Sequence, residues 1–435
     1  MPNASDVPLF GAAFKANPYP VYARLRADEP VHVARLPSGQ RAWLLTRYAD
    51  ALAALKDPRL VKDRRNISSV GGKTRQPWMP GMLRPLMENM LDRDPPDHTR
   101  LRILVHKAFT PHRIEQLRAR IQSITDDLLH AVVPDGRMDL IRDFALPLPA
   151  IVIAEMLGIP ASDRHRFHRW SARIVAADPS GWRMVTAIPS VLAFLRYLRR
   201  LVRSRRRAPG DDLVSALVAA EEQGDQLSED ELVAMIFLLL VAGHETTVNL
   251  IGNGVLALLR HPDQTEAARQ SLGWIRPAIE ELLRYSGPLE MATERYARED
   301  IMMHGVTIPR GALVFAVLAS ANRDESQFEQ AATLQLGRDP NRHLAFGHGA
   351  HYCLGATLAR LEGAIAIDAL LGRCTDLRLA IAPDSLRWRR GLVVRGVDQL
   401  PVQWTNAPTA AEGRATAPAS AAPAPPSRQR TDDAP

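Results

Sequence analysis

Phe346-Gly347-His348-Gly349-Ala350-His351-Tyr352-Cys353-Leu354-Gly355 carries one of only two cysteines in a chain of 435 residues. Its glycines allow a tight backbone wrap, and the apolar periodic stretch that follows, Ala356 to Leu371, reads as a helix whose first turn lies beside the sulfur. Helix N-termini present unpaired N–H groups, which favour a thiolate over a thiol. A lone thiolate of this kind is a strong axial donor to haem iron and pushes electron density onto it, favouring O–O cleavage. A zinc site using His348, His351 and Cys353 would want a fourth ligand and a more open spacing. Out of context a lone cysteine is more often a small buried hydrophobe. That is the reading for Cys374, which sits among Leu370, Leu371, Leu377 and Leu379.

A second constellation interrupts an apolar helix. After Leu232 to Val241, nearly all apolar, come Ala242-Gly243-His244-Glu245-Thr246-Thr247. Polar groups are costly in such a setting unless they have partners or a task. Small Ala242 and Gly243 permit close approach of a flat ligand, and Thr246 can hydrogen-bond back to a carbonyl and widen the helix locally. Glu281 and Arg284 lie three apart on one helical face, a pairing that contributes only about 0.2–0.5 kcal/mol when exposed. His98 and Arg102, one helical turn apart, can face a single carboxylate.

Together these runs resemble the cytochrome P450 family. Phe346, Gly347, Gly349, Cys353 and Gly355 stand at the spacing of its haem-binding signature. The resemblance implies haem b (heme, iron protoporphyrin IX) with Cys353 as the iron ligand. It gives Thr246 the role of holding dioxygen and an ordered water, and Glu245 that of passing protons inward. It implies that Glu281, Arg284 and Arg338 form the network that secures the cysteine loop. His98 and Arg102 are expected on one propionate, Arg295 and His351 on the other, and Ala242 against the ring; Arg100 is expected to point outward or toward a redox partner. Leu238, Ala242, Leu289, Met291 and Ala292 fall at or near the family's substrate-facing positions. The loop before Asn89 and the helices between Ala161 and Arg207 would form the lid.

The likeness runs from about Asn17 to Trp404, and it is nearest the soluble bacterial branch that tailors macrolides and related secondary metabolites. It implies a monooxygenase acting on a hydrophobic small molecule, a polyketide or macrolide by preference, with a fatty acyl, terpenoid or steroid substrate as the alternative. A peroxide-driven peroxygenase and a haem-thiolate sensor or carrier without turnover are the competing functions. No fused flavin domain is visible in this sequence, so electrons are expected from a ferredoxin or flavodoxin and its reductase.

The elements that must position these residues are mostly helical. Helical periodicity covers Val21–Ala27, Tyr48–Leu55, Asp97–Ala108, Pro111–Val132, Pro149–Leu157, Ala161–Val175, Asp212–Ala220, Thr265–Leu272 and Ala278–Tyr285. Val31–Leu36 and Arg41–Leu45, joined by Pro37-Ser38-Gly39, read as a hairpin, with further strands near Glu294–Tyr296 and Leu313–Val317. Ser228 and Glu231 form a capping box that opens the interrupted helix. Leu60 to Asn89 reads as a long loop. The fold expected is mainly α with small β-sheets, in the P450 arrangement and without internal repeats.

Composition sets outer bounds. At 46% hydrophobic residues the chain can build a large core. Its longest apolar stretch, Leu232 to Gly243, is too short to span a bilayer. No secretion signal opens the chain and the cysteines supply no disulfide framework, so a cytoplasmic monomer is expected. Net charge is +7, but aromatic residues are only 6% and no nucleic-acid motif is present, which points to an acidic redox partner instead. Seven arginines between Arg196 and Arg207 read as a solvated helix face, or as a partner or membrane-surface contact. Residues 1–405 are assigned to the haem domain, and the Ala/Pro-rich residues 406–435 to a disordered tail.

Overall fold

The computed structural model describes residues 9, 11–67, 89–163, 166–167, 169–170, 182–222 and 227–405. The expected lid loop, the helix over Ala161–Val175 and the tail lie largely or wholly outside these residues. The helices are α1 (Ala12–Ala16), α2 (Tyr19–Asp28), α3 (Tyr48–Lys56), α4 (Asp97–Ala108), α5 (Pro111–Gln116), α6 (Arg118–Val132), α7 (Pro147–Met156), α8 (Trp182–Arg207), α9 (Leu213–Glu222), α10 (Glu229–Leu259), α11 (Pro262–Arg269), α12 (Ile275–Ser286), α13 (Leu318–Ala321) and α14 (Ala356–Arg373). The strands are β1 (Val31–Arg35), β2 (Arg41–Leu45), β3 (Leu60–Val61), β4 (Arg137–Asp139), β5 (Arg295–Ala297), β6 (Ile301–Met303), β7 (Val306–Ile308), β8 (Leu313–Ala316), β9 (Thr375–Leu379) and β10 (Pro401–Thr405). The architecture is mainly α with small mixed sheets, as expected.

Helix α10 is the axis of the molecule. Ser228 Oγ accepts the Glu231 N–H at 3.1 Å and Glu231 Oε2 accepts the Ser228 N–H at 2.9 Å, so the capping box forms as its sequence predicts. By length and hydropathy α10 could cross a membrane, but it lies in the core against α7, α8, α12 and α14. Its apolar residues, from Leu232 to Leu258, anchor the largest hydrophobic cluster. The arginines of α8 clamp this assembly: Arg199 pairs with Asp230 at 2.8 Å, Arg203 with Glu229 at 3.0 Å and Arg205 with Asp212 at 2.6 Å. Those three are tied to neighbouring helices and not left as a free cationic face.

The five-stranded sheet has the order β1-β2-β8-β5-β3. The hairpin β1–β2 is antiparallel, with Val31 opposite Leu45, and β2 runs parallel to β8 with Ala42 opposite Leu313. Three expected elements differ. The start of the stretch read as a long loop, Leu60 and Val61, pairs antiparallel with Ala297 and Tyr296 as β3. The stretch Pro111–Val132 is two helices, because the Leu117 N–H turns back to the Ile114 carbonyl at 3.0 Å and ends α5 in a tighter turn. The helix expected over Thr265–Leu272 starts earlier, with Pro262 in its first turn, where a missing N–H costs nothing.

Candidate active site

The cysteine loop is wrapped by backbone geometry that its glycines permit. Gly347 and Gly349 have φ of 68° and 72°, in the left-handed region. A Cβ on Gly349 would also come within 2.8 Å of the Leu55 carbonyl oxygen. The Cys353 N–H donates to the Phe346 carbonyl at 2.9 Å, closing the loop on itself. Gly355 caps α14, and its backbone amide hydrogen-bonds toward the sulfur. Burial nevertheless pushes the Cys353 thiol up, against the pull of that amide and of the Arg102 and Arg360 charges. The helix terminus alone therefore does not make the thiolate expected from the sequence; a bound metal cation would.

Ala242 and Gly243 are exposed on α10, and a Cβ built on Gly243 or on Gly355 would meet no atom within 4 Å. Thr246 Oγ1 donates to the Ala242 carbonyl at 2.8 Å, and Thr247 Oγ1 to that of Gly243 at 3.1 Å. The helix stays α throughout, so the expected widening does not change its type. Glu245 accepts from Arg389 Nη1 at 2.8 Å. Burial pushes its carboxyl up, and the Arg389 charge and hydrogen bond hold the rise back. His244 turns the other way, to the Leu146 carbonyl at 3.2 Å.

A cluster of basic side chains adjoins the cysteine loop. The His98 and His351 rings are 4.1 Å apart. His98 keeps both ring nitrogens buried and without a partner. Arg102 Nη2 donates to the Tyr352 carbonyl at 2.6 Å, while Arg295 makes only 3.4 Å contacts to the Ala54 and Leu55 carbonyls. Burial, then the charges of His98, Arg295, Lys62 and Arg102, push His351 down to about 2. Basic groups thus converge on one spot, with no carboxylate among the groups acting on His351.

The supporting network is centred on two wholly buried residues, Glu281 and Arg284. Glu281 accepts from Arg284 Nε and Nη2, both at 2.7 Å, from Arg338 Nε at 3.1 Å, from the Gln335 N–H at 2.7 Å and from Asn341 Nδ2 at 3.1 Å. Arg284 spends its other donor on the Asn322 and Ala331 carbonyls, at 2.9 and 2.7 Å. Asn322 Oδ1 in turn accepts the Leu344 N–H at 2.7 Å, and the Leu344 carbonyl accepts the Gly347 N–H at 2.8 Å. A continuous chain of hydrogen bonds runs from Glu281 into the cysteine loop.

These features fit a flat dianionic macrocycle with a thiolate-bound metal. The orphaned His98 nitrogens and surplus cations suit two carboxylates, and the open space over Gly243 and Gly355 suits a ring. Three groups in the site escaped the sequence reading. Lys62 is buried, donating to Thr293 Oγ1 at 2.7 Å and the Glu294 carbonyl at 2.8 Å, and burial pushes it down to about 8. Glu362 is buried on α14, hydrogen-bonded to Thr247 and pushed up by burial to about 8. Its signal was available: a lone acid in the apolar stripe Leu358, Leu361, Ile365. Arg389 and Lys62 sit in stretches without periodicity and gave none.

Two expectations are corrected. Met291 is 0% exposed, packed with Phe14, Tyr22 and Phe315 in the N-terminal core cluster, so it offers no surface to a substrate. Ala292 is also buried, beside Tyr48 and Leu318, whereas Leu238 and Leu289 are half-buried and Ala242 is exposed. Arg100 does not point freely outward: it pairs with Glu231 of the capping box.

The model of the cytochrome P450 family matches residues 190–378. A relative described as polyketide biosynthesis cytochrome P450 PksS, from Bacillus subtilis, is 45% identical over 398 residues, covering 90% of this chain and 97% of that protein. Among solved structures, the tirandamycin C-bound P450 monooxygenase TamI superposes with a TM-score of 0.80 at 43% identity, covering 91% of this chain and 99% of that one. The myxobacterial cytochrome P450 CYP267B1 in complex with myristic acid gives 0.85 at 44% identity, with 93% and 100% covered.

Proposed function

The chain belongs to the cytochrome P450 family, and we propose that this haem-thiolate monooxygenase hydroxylates a bulky hydrophobic secondary metabolite of the polyketide or macrolide kind. Residues 1–405 form its haem domain in this reading, with residues 406–435 as a tail. The observation that carries it is the face of α10, where open space over Gly243 adjoins an alcohol and a half-buried acid. When bound, the haem supplies reductive cleavage of dioxygen and oxidation of an unactivated C–H bond. Cys353 would hold the iron, and His98, Arg102, Arg295 and His351, with Lys62, would hold the propionates; Phe346, Gly347 and Gly355 would shape the loop that receives it.

Thr246 has its proton committed to the Ala242 carbonyl, which leaves the oxygen lone pairs free to accept from an ordered water. Glu245 takes protons from the Arg389 side and delivers them past Thr246. Its raised carboxyl exchanges protons more readily near neutral pH than an exposed glutamate does. Leu238, Ala242 and Leu289 line the substrate side, an apolar wall with few polar anchors that selects by shape and hydrophobicity. Electrons come from a ferredoxin or flavodoxin and its reductase. PksS, named for polyketide biosynthesis, and TamI, seen with tirandamycin C, support the substrate class. The myristic acid in CYP267B1 favours a second reading, a fatty acyl substrate.

The test begins with the carbon-monoxide difference spectrum of the reduced protein, where the red-shifted thiolate band is expected and is lost in Cys353→Ala. A normal band in C353A would remove Cys353 as ligand. In a system reconstituted with redox partners, Thr246→Ala is expected to keep haem and substrate binding while product per NAD(P)H oxidised falls. An unchanged ratio takes Thr246 out of the relay. Spin-state titration against macrocyclic compounds and linear fatty acids separates the substrate readings: saturable shifts with the fatty acids alone would overturn the polyketide class.

A further inference from the structure

One charged cluster packed against the cysteine loop belongs neither to the relay nor to the propionate cations. Arg360, on α14, forks onto Glu280 of α12, with Nε to Oε1 at 2.6 Å and Nη2 to Oε2 at 2.9 Å. Its guanidinium carbon lies 4.4 Å from the centroid of the Phe346 ring, and Phe346 is the residue whose carbonyl holds the Cys353 N–H. Behind Glu280 stands His343, with Nε2 at 3.0 Å. The Ala345 N–H points at His343 Nδ1 at 3.2 Å, which makes Nε2 the donor to the carboxylate. Adjacent glutamates thus serve the cysteine loop in different ways: Glu281 braces its backbone, while Glu280 fixes an arginine over the Phe346 ring.

The charges in this cluster are not interchangeable. Burial acts to raise Glu280, but hydrogen bonds from His343 and Arg360 and the Arg360 charge hold it down at about 2, so it is an anion at any working pH. Arg360 Nη1 also donates to the Tyr352 hydroxyl at 3.5 Å, so the guanidinium charge lies against both Phe346 and the residue preceding Cys353. A cation near a metal–thiolate pair stabilises the added electron on reduction, and an anion opposes it, most effectively where solvent is excluded.

We propose that the Arg360–Glu280 pair sets the donor strength of Cys353 and thereby the reduction potential of the haem: Arg360 holds positive charge against the Phe346 ring of the cysteine loop, and Glu280 limits how much of it is felt. The proposal rests on the haem-thiolate reading of Cys353. Both residues are electrostatic positioning groups; neither touches the reacting atoms. A plain tether between α12 and α14 would use the same ion pair, but it carries no sign.

Sign therefore makes the test. The one-electron ferric/ferrous potential is measured by spectroelectrochemical titration with dithionite on the holoproteins of wild type, Arg360→Met, Arg360→Lys, Glu280→Gln and the double variant E280Q/R360M. Expected is a lower potential in R360M, a higher one in E280Q, a double variant between them and R360K nearest wild type. Shifts of the same sign in R360M and E280Q, or no shift in either, would overturn the proposal. Should R360M fail to retain haem, R360K near wild type with E280Q raised supports it, and E280Q lowered overturns it. The carbon-monoxide spectrum keeps the two readings apart. A missing thiolate band in wild type defeats the ligand assignment itself, whereas a normal band with unsigned shifts defeats only the tuning role.

Discussion

Glu281 and Glu245 are both glutamates on helices flanking one site, and they are held in opposite ways. Glu281, wholly buried, receives two arginines, an asparagine amide and a backbone N–H. Glu245 receives one arginine, and burial raises its carboxyl. Each loses water, but only the first has that loss fully replaced by donors. A carboxylate with every lone pair engaged is held in place, whereas one with a single donor can move. Glu362 completes the series, as wholly buried as Glu281 but with only Thr247 beside it and pushed up to about 8. Donor count, not depth, separates the bracing acid from the two acids with a single partner, whose carboxyls burial raises.

The strongest way to break this contrast is Glu281→Gln. It leaves Arg284 and Arg338 buried without their carboxylate, and removing one partner of such a set costs about 3–5 kcal/mol. Denaturant unfolding together with haem content should show the loss of stability and of haem; a variant within about 1 kcal/mol of wild type would mean the network does not brace the loop.

Glu362 supplies a subtler test through pH. Its folded-state value, about 8, lies above the ordinary 4.5, so the folded protein keeps a proton that the unfolded chain releases. Stability from this group is present below pH 4.5 and is lost as pH rises toward 8, at up to about 1.4 kcal/mol per unit. Glu362→Gln should flatten that part of the stability–pH curve relative to wild type. An identical slope in the two proteins would show that Glu362 is ionised in the fold.

The smallest effect is expected from Arg389→Met. Without the guanidinium, burial acts on Glu245 unopposed and its carboxyl rises further. The pH dependence of product per NAD(P)H should then move to higher pH with haem content unchanged. A profile that stays in place, or moves down, would detach Arg389 from the acid's titration.

Much of this was legible because it is local. Ser228 and Glu231 predict the start of α10, and Asp97 to Ala108 has the bounds of α4, because caps and periodicity are written within a few residues. The cysteine loop is legible for the same reason, as its glycines mark left-handed positions at Gly347 and Gly349. Met291 shows the limit. It lies beside Leu289 and Glu290 in a short extended segment, and which face meets the core is decided by Phe14 and Tyr22, far away in sequence. The break at Leu117 has no glycine or proline to announce it. Lys62 and Arg389 depend wholly on tertiary neighbours and carry no local mark.

Those distant neighbours impose a schedule on the living chain. Lys15 finds Glu290 275 residues later, and its carbonyl meets Arg395 380 residues later. The hairpin β1–β2 likewise waits for β8 to cover its second edge. At translation speeds of about 5–20 residues per second, Lys15 emerges roughly 15–50 s before its partner exists. During that interval a two-stranded hairpin, marginal by itself, offers the unpaired edge of Ala42 to Leu45 to any other nascent strand. Assembly of this protein on the ribosome is therefore a late event, in which the first-made segment is among the last to be secured, and its yield in a cell should depend on what shields that edge in the meantime.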